Sequence, residues 1–545
     1  MFMSGAIEIP SRLNIAQWFL DRPAEAHPER IAIVGEPAAV RYRELRYLAN
    51  RVGNALRALG CAPGDRVLVV LRDSAEFIAA FFGAAKIGAL PVPVNSFARA
   101  ADYAYFLSDS GASIAIVDES ALGEFRAAAA GKSLQLIVVG GAEASASTDG
   151  LDWAESIGAA PAELSPHLSA PSDPAFLLYT SGSGGRPKAA VHQHKDMLVA
   201  TRSYADGVLG TRADDRTFSV SKLFFAYGLG NGMYFPLSAG ASMVLNPDKT
   251  RIDRVAELVA RHRPTLFFGV PTFYAALLQE ANRGLAADLT SVRAAVSAGE
   301  PLPAELFHQF RARFGIEILD GIGSTEMLHI FISNRAKRAR AGTCGTPVAN
   351  YEVRLSGDEG QSVPAGEIGN LWVKGDSAFA GYWGNLEYSA RTKSDGWVST
   401  GDKFFCDADG YYHYAGRGDD MIKVSGMWVS PVEVENALLA DEQVAEVAVV
   451  GVSDGAGLLK PVAFIVLVEG RDPSAASSDS ILESLRARLV HYKCPREIHF
   501  VEELPKTVTG KIQRFLLRER MAATRSNEAE RKKISDRGEP SRRDT

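Results

Sequence analysis

Residues 175–188 read AFLLYTSGSGGRPK, an apolar run followed by a loop of small and hydroxyl-bearing residues that ends in two cations. The apolar run predicts a buried strand, and the next residues, VHQHKDMLVATRSYADGVLG, have a pattern that can be helical. A glycine-rich loop between a strand and a helix lies where α/β sheets bind ligands. Its backbone N–H groups, with Arg186 and Lys188, suit a phosphate. A plain surface turn is the competing interpretation of such a run taken alone.

The loop does not match the P-loop of nucleoside triphosphatases. That motif requires Gly, four residues, and then Gly-Lys-Ser/Thr. Counting from Gly182, the second glycine would fall at Pro187, and Lys188 is followed by Ala189. The spacing therefore excludes this class.

The composition predicts a globular protein of more than one domain, because 545 residues exceed a single ordinary core. A formal net charge of −6, with no lysine and arginine stripe before the extreme C-terminus, argues against a nucleic-acid partner. The four cysteines have no metal-ligand spacing, which predicts reduced thiols and a cytoplasmic location. They are Cys61, Cys344, Cys406 and Cys494.

No membrane segment and no secretory signal are predicted. The most apolar long stretch, FIAAFFGAAKIGALPVPV at 77–94, contains Lys86, two prolines and two glycines, so it indicates a helix followed by a strand. The first residues, MFMSGAIEIPSRLN, lack a basic segment followed by an apolar one.

Alternating helix and strand patterns predict an α/β fold. RYRELRYLANRVGNALRALG at 41–60 has an apolar helical face and ends at a glycine, and DRVLVVLR at 65–72 follows as a buried strand. The alternation predicts a large N-terminal domain, residues 1–418, of parallel-rich sheets with helices, including a β-rich subdomain at about 345–418. Residues 419–521 predict a small α+β C-terminal domain, and 522–545, almost without apolar residues, a disordered tail.

Five further stretches occur in order along the chain: SAGEPLP (297–303), DGIGSTEM (320–327), STGDKF (399–404), GRGDDMIKVSG (416–426) and LPKTVTGKIQR (504–514). Each alone is a weak signal, because TGD or GDD is most often a turn. Together with the loop at 180–188, they resemble the adenylate-forming superfamily of acyl-CoA synthetases, adenylation domains and luciferases. The resemblance covers nearly the whole chain. It implies that a carboxylate attacks the α-phosphate of ATP, giving an acyl-adenylate and pyrophosphate, and that a thiol then attacks the adenylate.

The resemblance also implies a set of ATP and AMP contacts. The phosphate-loop positions are Thr180, Ser181, Gly182, Ser183, Gly184, Gly185 and Lys188. The adenine-face positions are Ala298, Gly299, Glu300, Pro301, Asp320, Gly321, Ile322, Gly323 and Ser324. Asp402 matches the carboxylate that binds the ribose hydroxyls, and Arg417 a second ribose or phosphate contact. Taken singly, Asp402 could equally form an Asx turn.

Three positions match the reacting groups. Glu326 matches the Mg²⁺ carboxylate, and Thr325 the hydroxyl that binds the adenylate phosphate. Lys511 matches the catalytic lysine, whose ammonium bridges the acid's carboxylate and the α-phosphate. A helix N-terminal charge and a solvated surface lysine are the structural alternatives for Glu326 and Lys511.

The C-terminal domain is implied to be mobile. Asp419 matches the hinge about which it turns, and Lys423, Ser425, Gly426 and Trp428 match the lining of the CoA tunnel. The resemblance further suggests regulation by a lysine acetyltransferase and deacetylase acting on Lys511. A homodimer is left open.

The phosphate loop departs from the family at two positions. Gly184 stands where the family usually has Thr, and Ala189 where it has Gly. One lost hydroxyl removes a phosphate contact of about 1.5 to 3 kcal/mol, which puts ATP affinity in doubt.

The acyl pocket resembles that of benzoate-CoA and hydroxybenzoate-CoA ligases, on the stretches SKLFFAYGLG (221–230) and GIGSTEMLHIF (321–331). The implied substrate contacts are Ala226, Tyr227, Gly323, His329 and Ile330. They predict a short, flat, mostly apolar slot, in which His329 bonds a ring hydroxyl or caps the slot. The predicted function is ATP-dependent ligation of benzoate or a hydroxybenzoate to CoA, in aromatic compound degradation.

Alternatives remain open at this point. Another small ring acid, such as an aminobenzoate or cyclohexanecarboxylate, would fit a similar slot. A carrier-loading adenylation enzyme would need a carrier module, and few residues follow Lys511. A non-catalytic ligand-binding homologue is suggested by Gly184, although Lys511, Glu326 and Asp402 argue against it.

Overall fold

The computed structural model describes residues 7–35, 38–140, 150–180, 186–424, 427–453, 459–506, 512–522 and 524, without the side chains at 423, 427, 428 and 475–477. Among them, no helix is both long and apolar enough to cross a membrane. Most of the predicted tail, and the motif positions Ser181 to Gly185, Ser425, Gly426 and Lys511, lie outside the described residues.

The strands are, in chain order, β1 (Ile31–Val34), β2 (Val40–Arg41), β3 (Arg66–Val70), β4 (Leu90–Pro93), β5 (Ile114–Asp118), β6 (Gln135–Val139), β7 (Leu151–Asp152), β8 (Pro174–Thr180), β9 (Lys188–Gln193), β10 (Arg216–Ser219), β11 (Ser242–Val244), β12 (Leu266–Gly269), β13 (Ala294–Ser297), β14 (Ile318–Gly323), β15 (Ile330–Ser333), β16 (Thr346–Pro347), β17 (Glu352–Ser356), β18 (Gly369–Lys374), β19 (Gly381–Tyr382), β20 (Lys393–Ser394), β21 (Trp397–Cys406), β22 (Tyr412–Arg417), β23 (Ile422–Val424), β24 (Met427–Val429), β25 (Val444–Ser453), β26 (Leu459–Leu467) and β27 (Glu497–Phe500).

The α-helices are α1 (Arg22–Ala26), α2 (Tyr42–Ala58), α3 (Ala75–Lys86), α4 (Ala100–Ser110), α5 (Leu122–Ala129), α6 (Trp153–Ala159), α7 (His194–Ala200), α8 (Ala226–Leu229), α9 (Phe235–Ala239), α10 (Ile252–His262), α11 (Pro271–Asn282), α12 (Ala304–Phe314), α13 (Leu386–Thr392), α14 (Pro431–Leu439) and α15 (Ala475–Arg486). Short 3₁₀ turns lie at Glu119–Ala121, Thr325–Met327 and His491–Lys493, and π-helical turns at Gln17–Asp21, Thr201–Leu209 and Gly230–Tyr234.

Two large sheets dominate the N-terminal part of the chain. One has nine strands in the order β16-β15-β14-β13-β12-β10-β11-β1-β2, with parallel pairing from β14 to β1. The other, β4-β3-β5-β6-β7, is parallel throughout. Because parallel strands need helical crossovers, this arrangement follows from the alternating pattern, and the predicted α/β fold is confirmed.

The helix pair α2 and α3 occupies the main core. All residues of α3 from Phe77 to Lys86 are buried, as expected for a helix that is apolar on every face. The two helices touch backbone to backbone at Gly53 and Gly83, where a Cβ on Gly83 would lie 2.7 Å from the Ala49 carbonyl oxygen. The glycines therefore set the spacing on which the surrounding sheets pack.

The predicted strand before the phosphate loop is β8, but the element after the loop is a strand, β9, and the helical pattern begins only at His194. The prediction of a loop between a strand and a helix was therefore wrong. β9 is the middle strand of the antiparallel sheet β19-β9-β8, and pairing on both edges overrides a weak helical pattern.

The later part of the chain is built from smaller sheets. β17, β18, β20, β21 and β22 form an antiparallel sheet within the predicted β-rich subdomain. Beyond it, β25-β26-β27 pack with α14 and α15 around a separate apolar cluster that includes Val449, Ile465 and Leu485. The boundary predicted at Asp419 stays a prediction.

Candidate functional site

The centre of the candidate site is the turn Thr325–Met327, between β14 and β15. Each of its three carbonyl oxygens accepts a hydrogen bond from another part of the chain. The His192 Nε2 bonds Thr325 O at 2.8 Å, the Phe379 N–H bonds Glu326 O at 2.8 Å, and the Ser377 hydroxyl bonds Met327 O at 2.9 Å. The turn is thus held along its whole length.

Both ends of this turn have local constraints. The Ser324 hydroxyl accepts a hydrogen bond from the Met327 N–H at 3.3 Å and caps its start. Leu328, which is fully buried, ends the turn with φ +67° and ψ −35°, in a region that a branched residue rarely adopts. Since such a conformation costs about 1 to 3 kcal/mol, the tethers from His192, Phe379 and Ser377 must hold it.

The side chain of Glu326 is half-buried and oriented by a tyrosine. The Tyr382 hydroxyl, on β19, donates a 2.6 Å hydrogen bond to Glu326 Oε1. Burial and the neighbouring carboxylate raise the pKa of Tyr382, so its proton stays on the phenol.

A carboxylate in this position fits Mg²⁺. Mg²⁺ takes oxygen ligands and is commonly bound by one or two carboxylates together with substrate phosphates. Among the described residues, no three His, Cys, Asp or Glu side chains gather into a metal cluster. Glu326 could supply one carboxylate oxygen to an ion that also binds a phosphate, and its role at Mg²⁺ stays a prediction.

The two ends of the phosphate loop face each other across β8 and β9. Thr180 and Lys188 are register partners, so the predicted hydroxyl and cation are neighbours. The Lys188 Nζ lies 4.0 Å from the ring centroid of Tyr388. Ala189 is buried within β9 and is paired with Tyr179 across the sheet, so the departure from glycine is accommodated by ordinary strand backbone.

The predicted adenine face lies at the ends of β13 and β14, which are parallel neighbours. Ala298, Gly299, Glu300 and Pro301 follow β13, and Gly321 to Gly323 end β14. The Asp320 side chain is buried, and the Cys344 thiol donates to its Oδ2 at 3.6 Å. Burial raises the pKa of this carboxyl well above its ordinary value. The assignment of Asp320 to the adenine face stays a prediction.

Asp402 and Arg417 are brought together as register partners on β21 and β22. The Arg417 Nη1 donates to Asp402 Oδ1 at 3.1 Å and to the Thr400 carbonyl at 3.0 Å. The Asp402 side chain is 13% exposed, which leaves it accessible at one edge. This ion pair holds the carboxylate in a defined orientation, as a diol-binding acceptor needs.

The positions predicted to line the acid slot lie near His329. Its ring centroid lies 5.0 Å from that of Tyr204, 5.7 Å from Tyr227 and 4.6 Å from Phe235. Gly323 pairs with Ile330, and a Cβ on Gly323 would lie 2.6 Å from the His329 carbonyl oxygen. Ala226 and Tyr227, both half-buried, begin α8 beside it. Four of the five predicted positions thus surround or flank the fifth, His329.

His329 is a neutral, fixed side chain. Its Nε2 donates to Asn231 Oδ1 at 3.2 Å, and burial lowers its pKa to about 3. Its Nδ1 has no hydrogen-bond partner among the described residues. The positions predicted to contact the acid therefore include a buried aromatic cluster around one uncharged imidazole.

The hinge and thiol positions are only partly described. Asp419 lies 3.7 Å, carboxylate to Nε, from Arg417, directly after β22. Lys423 and Trp428 are register partners in the β23-β24 hairpin, and nothing is described of their side chains. Ser425, Gly426 and Lys511 lie outside the described residues.

Sequence reasoning missed several residues that contact the site: His192, Asn231, Ser377 and Tyr382. Each reaches its partner across 50 or more positions of the chain, from 50 for Ser377 and Met327 to 133 for His192 and Thr325. No periodic pattern signals such a contact.

Known proteins share this architecture. Residues 20–383 match the AMP-binding enzyme family, and residues 433–511 its C-terminal domain. The chain is 45% identical over 518 residues to the benzoate–CoA ligase of Thauera aromatica, covering 94% of this chain and 97% of that protein. It is 40% identical over 508 residues to a 4-hydroxybenzoate–CoA/benzoate–CoA ligase of Rhodopseudomonas palustris, covering 93% and 94%.

A solved structure of a CoA ligase has a similar fold. The anthranilate CoA ligase AuaEII in complex with anthranoyl-AMP superimposes with a TM-score of 0.88 at 40% identity, covering 95% of this chain and 99% of that one. The ordered motifs, the two matched domains and the shared fold agree, and the chain belongs to the AMP-binding enzyme family.

Proposed function

We propose that this protein is an ATP-dependent aromatic acid–CoA ligase that converts benzoate or a hydroxybenzoate into its CoA thioester through an aryl-adenylate, releasing AMP and pyrophosphate. One observation carries the proposal. The hairpin of β14 and β15 joins the predicted adenine face, the Thr325–Glu326 turn and His329 within a single continuous segment. A ring acid beside His329 would place its carboxylate near the groups predicted to bind the α-phosphate.

The proposed roles follow from charge and position. Thr180 and Lys188 would bind phosphate oxygens together with the loop between them, and Thr325 would bind the adenylate phosphate. Asp402, oriented by Arg417, would accept hydrogen bonds from the ribose. Glu326 would bind Mg²⁺, which neutralises charge on the transferring phosphoryl group.

Lys511 is proposed as the catalytic lysine on the strength of LPKTVTGKIQR alone. Its ammonium would lie between the acid's carboxylate and the α-phosphate during the first half-reaction. A turn of the C-terminal domain about Asp419 would then bring Lys423, Ser425, Gly426 and Trp428 to the CoA thiol. Domain boundaries at 418/419 and 521/522 belong to the same proposal.

His329 supports the choice of ring acid. Since its Nε2 hydrogen is committed to Asn231, Nδ1 is left as an acceptor for a ring hydroxyl or amino group. The Tyr204, Tyr227 and Phe235 rings favour a flat substrate. An aminobenzoate is kept as a second candidate, because the solved relative with a TM-score of 0.88 holds anthranoyl-AMP.

Three further properties belong to the proposal. A cytoplasmic location is supported by four free cysteines, three of them buried. A homodimer and reversible acetylation of Lys511 stay predictions.

The decisive experiment is mass spectrometry of products formed by the purified protein with Mg-ATP and CoA. Benzoate, 2-, 3- and 4-hydroxybenzoate, 2-aminobenzoate, cyclohexanecarboxylate and octanoate are supplied separately. We expect a thioester with benzoate or a hydroxybenzoate, and the aryl-adenylate when CoA is omitted. No thioester with any ring acid would overturn the proposal. An adenylate that is never transferred to CoA would indicate carrier loading instead.

A further inference from the structure

The buried pair His192 and Asp196 is not accounted for by the proposed roles. His192 lies near the end of β9 and Asp196 in the first turn of α7, and both side chains are fully buried. The His192 Nδ1 lies 2.9 Å from Asp196 Oδ2, and its Nε2 lies 2.8 Å from the carbonyl oxygen of Thr325.

The proton positions follow from the partners. A carbonyl oxygen can only accept, so Nε2 carries a hydrogen and donates it to Thr325. Nδ1 shares a proton with Asp196, whichever of the two groups holds it. Asp196 is itself fixed, because its Oδ2 also accepts the Gln193 N–H at 2.9 Å. The imidazole is stacked on Phe176, with centroids 5.1 Å apart and planes 20° apart, so one face of the ring is packed against an aromatic side chain.

His192 also connects two parts of the proposed site. Lys188 begins β9 and lies on the same face of the strand as His192, four residues away. Ala190, between them, pairs with Tyr382, whose hydroxyl bonds Glu326. One three-stranded sheet therefore carries the phosphate loop at one end and two contacts to the Thr325–Glu326 turn at the other.

We propose that His192, oriented by Asp196, is a positioning residue for the Thr325–Glu326 turn. Its hydrogen bond to Thr325 would hold Thr325 and Glu326 in a fixed position relative to the phosphate loop. This inference rests on the proposed function, since it assigns a role in adenylate formation. Leu328, directly after the turn, has an unfavourable positive φ. When the hydrogen bond to Thr325 is lost, we expect the backbone of the turn to move toward a more favourable conformation. Loss of the tether would displace the carboxylate that is proposed to bind Mg²⁺.

Two substitutions at His192 separate its two hydrogen bonds. In His192→Asn the amide occupies the place of Nδ1, keeping the contact to Asp196 and losing the donor to Thr325. In His192→Gln the longer amide places an N–H near Nε2 and keeps that donor. A matched control is His194→Asn, at a buried histidine whose Nδ1 accepts a hydrogen bond from the Ile15 N–H at 3.2 Å, away from the Thr325–Glu326 turn.

The measurement is ATP–pyrophosphate exchange as a function of Mg²⁺ concentration, with thermal unfolding in parallel. For H192N we expect exchange about tenfold slower and half-saturation at a higher Mg²⁺ concentration, as for the loss of an outer contact to a metal site. H192Q should recover most of the rate. H194N should leave the Mg²⁺ dependence unchanged, even if it lowers the unfolding temperature.

If the wild type is active but H192N and H192Q have equal exchange rates and equal Mg²⁺ dependence, this inference is overturned while the proposed function stands. The same holds if the two variants lose only thermal stability. No exchange by the wild type with any ring acid would overturn the proposed function, and this inference with it. If H192N fails to fold, Asp196→Asn and Asp196→Ala test the same idea with His192 intact. Alanine lacks the oxygen that serves both His192 Nδ1 and the Gln193 N–H, and an amide in its place can serve only one of them. Both variants should therefore slow exchange about tenfold and raise the Mg²⁺ concentration at half-saturation; wild-type rates and Mg²⁺ dependence in both would overturn the inference.

Discussion

The Tyr382 hydroxyl lies 2.6 Å from Glu326 Oε1, although 56 residues separate the two positions. The contact places a carboxylate oriented by a phenol on a turn that is itself bonded at three successive carbonyls. It makes Tyr382 the most direct route to test the role of Glu326 without changing its charge.

Tyr382→Phe should slow adenylate formation about tenfold, while the KM for the ring acid stays near the wild-type value. The variant removes one hydrogen bond to a charged group, worth about 1.5 to 3 kcal/mol, and keeps the packed ring. ATP–pyrophosphate exchange at saturating acid measures the effect. Tyr411→Phe, which loses an exposed bond to the Arg338 carbonyl, is the matched control. An unchanged exchange rate would remove Tyr382 from the site.

Asp402→Asn should raise the KM for ATP about tenfold and leave the KM for the ring acid unchanged, because a neutral amide binds a diol and Arg417 less well than a carboxylate. Steady-state kinetics with each substrate varied in turn checks this. Asp358→Asn, at the exposed partner of Lys403, controls for the loss of a neighbouring charge. A parallel rise in both KM values would contradict the ribose assignment.

Lys511→Ala should slow adenylate formation at least about a hundredfold, since it removes a charged donor to the transition state. Thioester formation from supplied aryl-adenylate and CoA should persist, because the second half-reaction is proposed not to use this residue. Rapid-quench assays of the two half-reactions make the comparison. Equal losses in both would argue against the two-conformation scheme.

His329 predicts a pH dependence of stability. Its pKa is about 3 in the folded protein and about 6.5 when unfolded, so between these values the unfolded state binds more protons. Stability therefore rises with pH across that window and is lost as pH falls, by about 1.4 kcal/mol per pH unit at most. The free energy of unfolding of His329→Gln should fall less steeply from pH 7 to pH 4. If urea titrations gave the wild type and His329→Gln the same dependence of unfolding free energy on pH, protonation of His329 would not destabilise the folded protein.

Gly230→Ala should raise the KM for the ring acid and leave the KM for ATP unchanged. A Cβ at this position would lie 2.6 Å from His329 Cδ2, so the imidazole must shift within its aromatic cage. Gly232→Ala is a suitable control, because its Cβ would lie 2.9 Å from Leu223 Cδ2, the far end of a side chain, and 3.9 Å from Ser219 Cβ, and His329 is not among its neighbours within 4 Å. A change in the KM for ATP as large as that for the acid would indicate a general distortion of the turn.

Much of the site was predictable because its residues are local in sequence. Thr325, Glu326 and His329 belong to one short run, and Asp402 and Arg417 lie in two recognisable motifs. The error at β9 has a different origin. Pairing with β8 and β19 determines that 188–193 is a strand.

By itself, the sequence determined the alternating α/β pattern, the ordered motifs of an AMP-binding enzyme and the chemical types of the proposed ligand-binding residues. These follow from the spacing and the side-chain chemistry of residues that are close together in the sequence. Only the tertiary structure decided that His192 bonds Thr325, that Tyr382 bonds Glu326 and that Asn231 fixes the ring of His329. Such contacts depend on which strands and helices pack together, and packing joins residues that have no fixed spacing in the sequence.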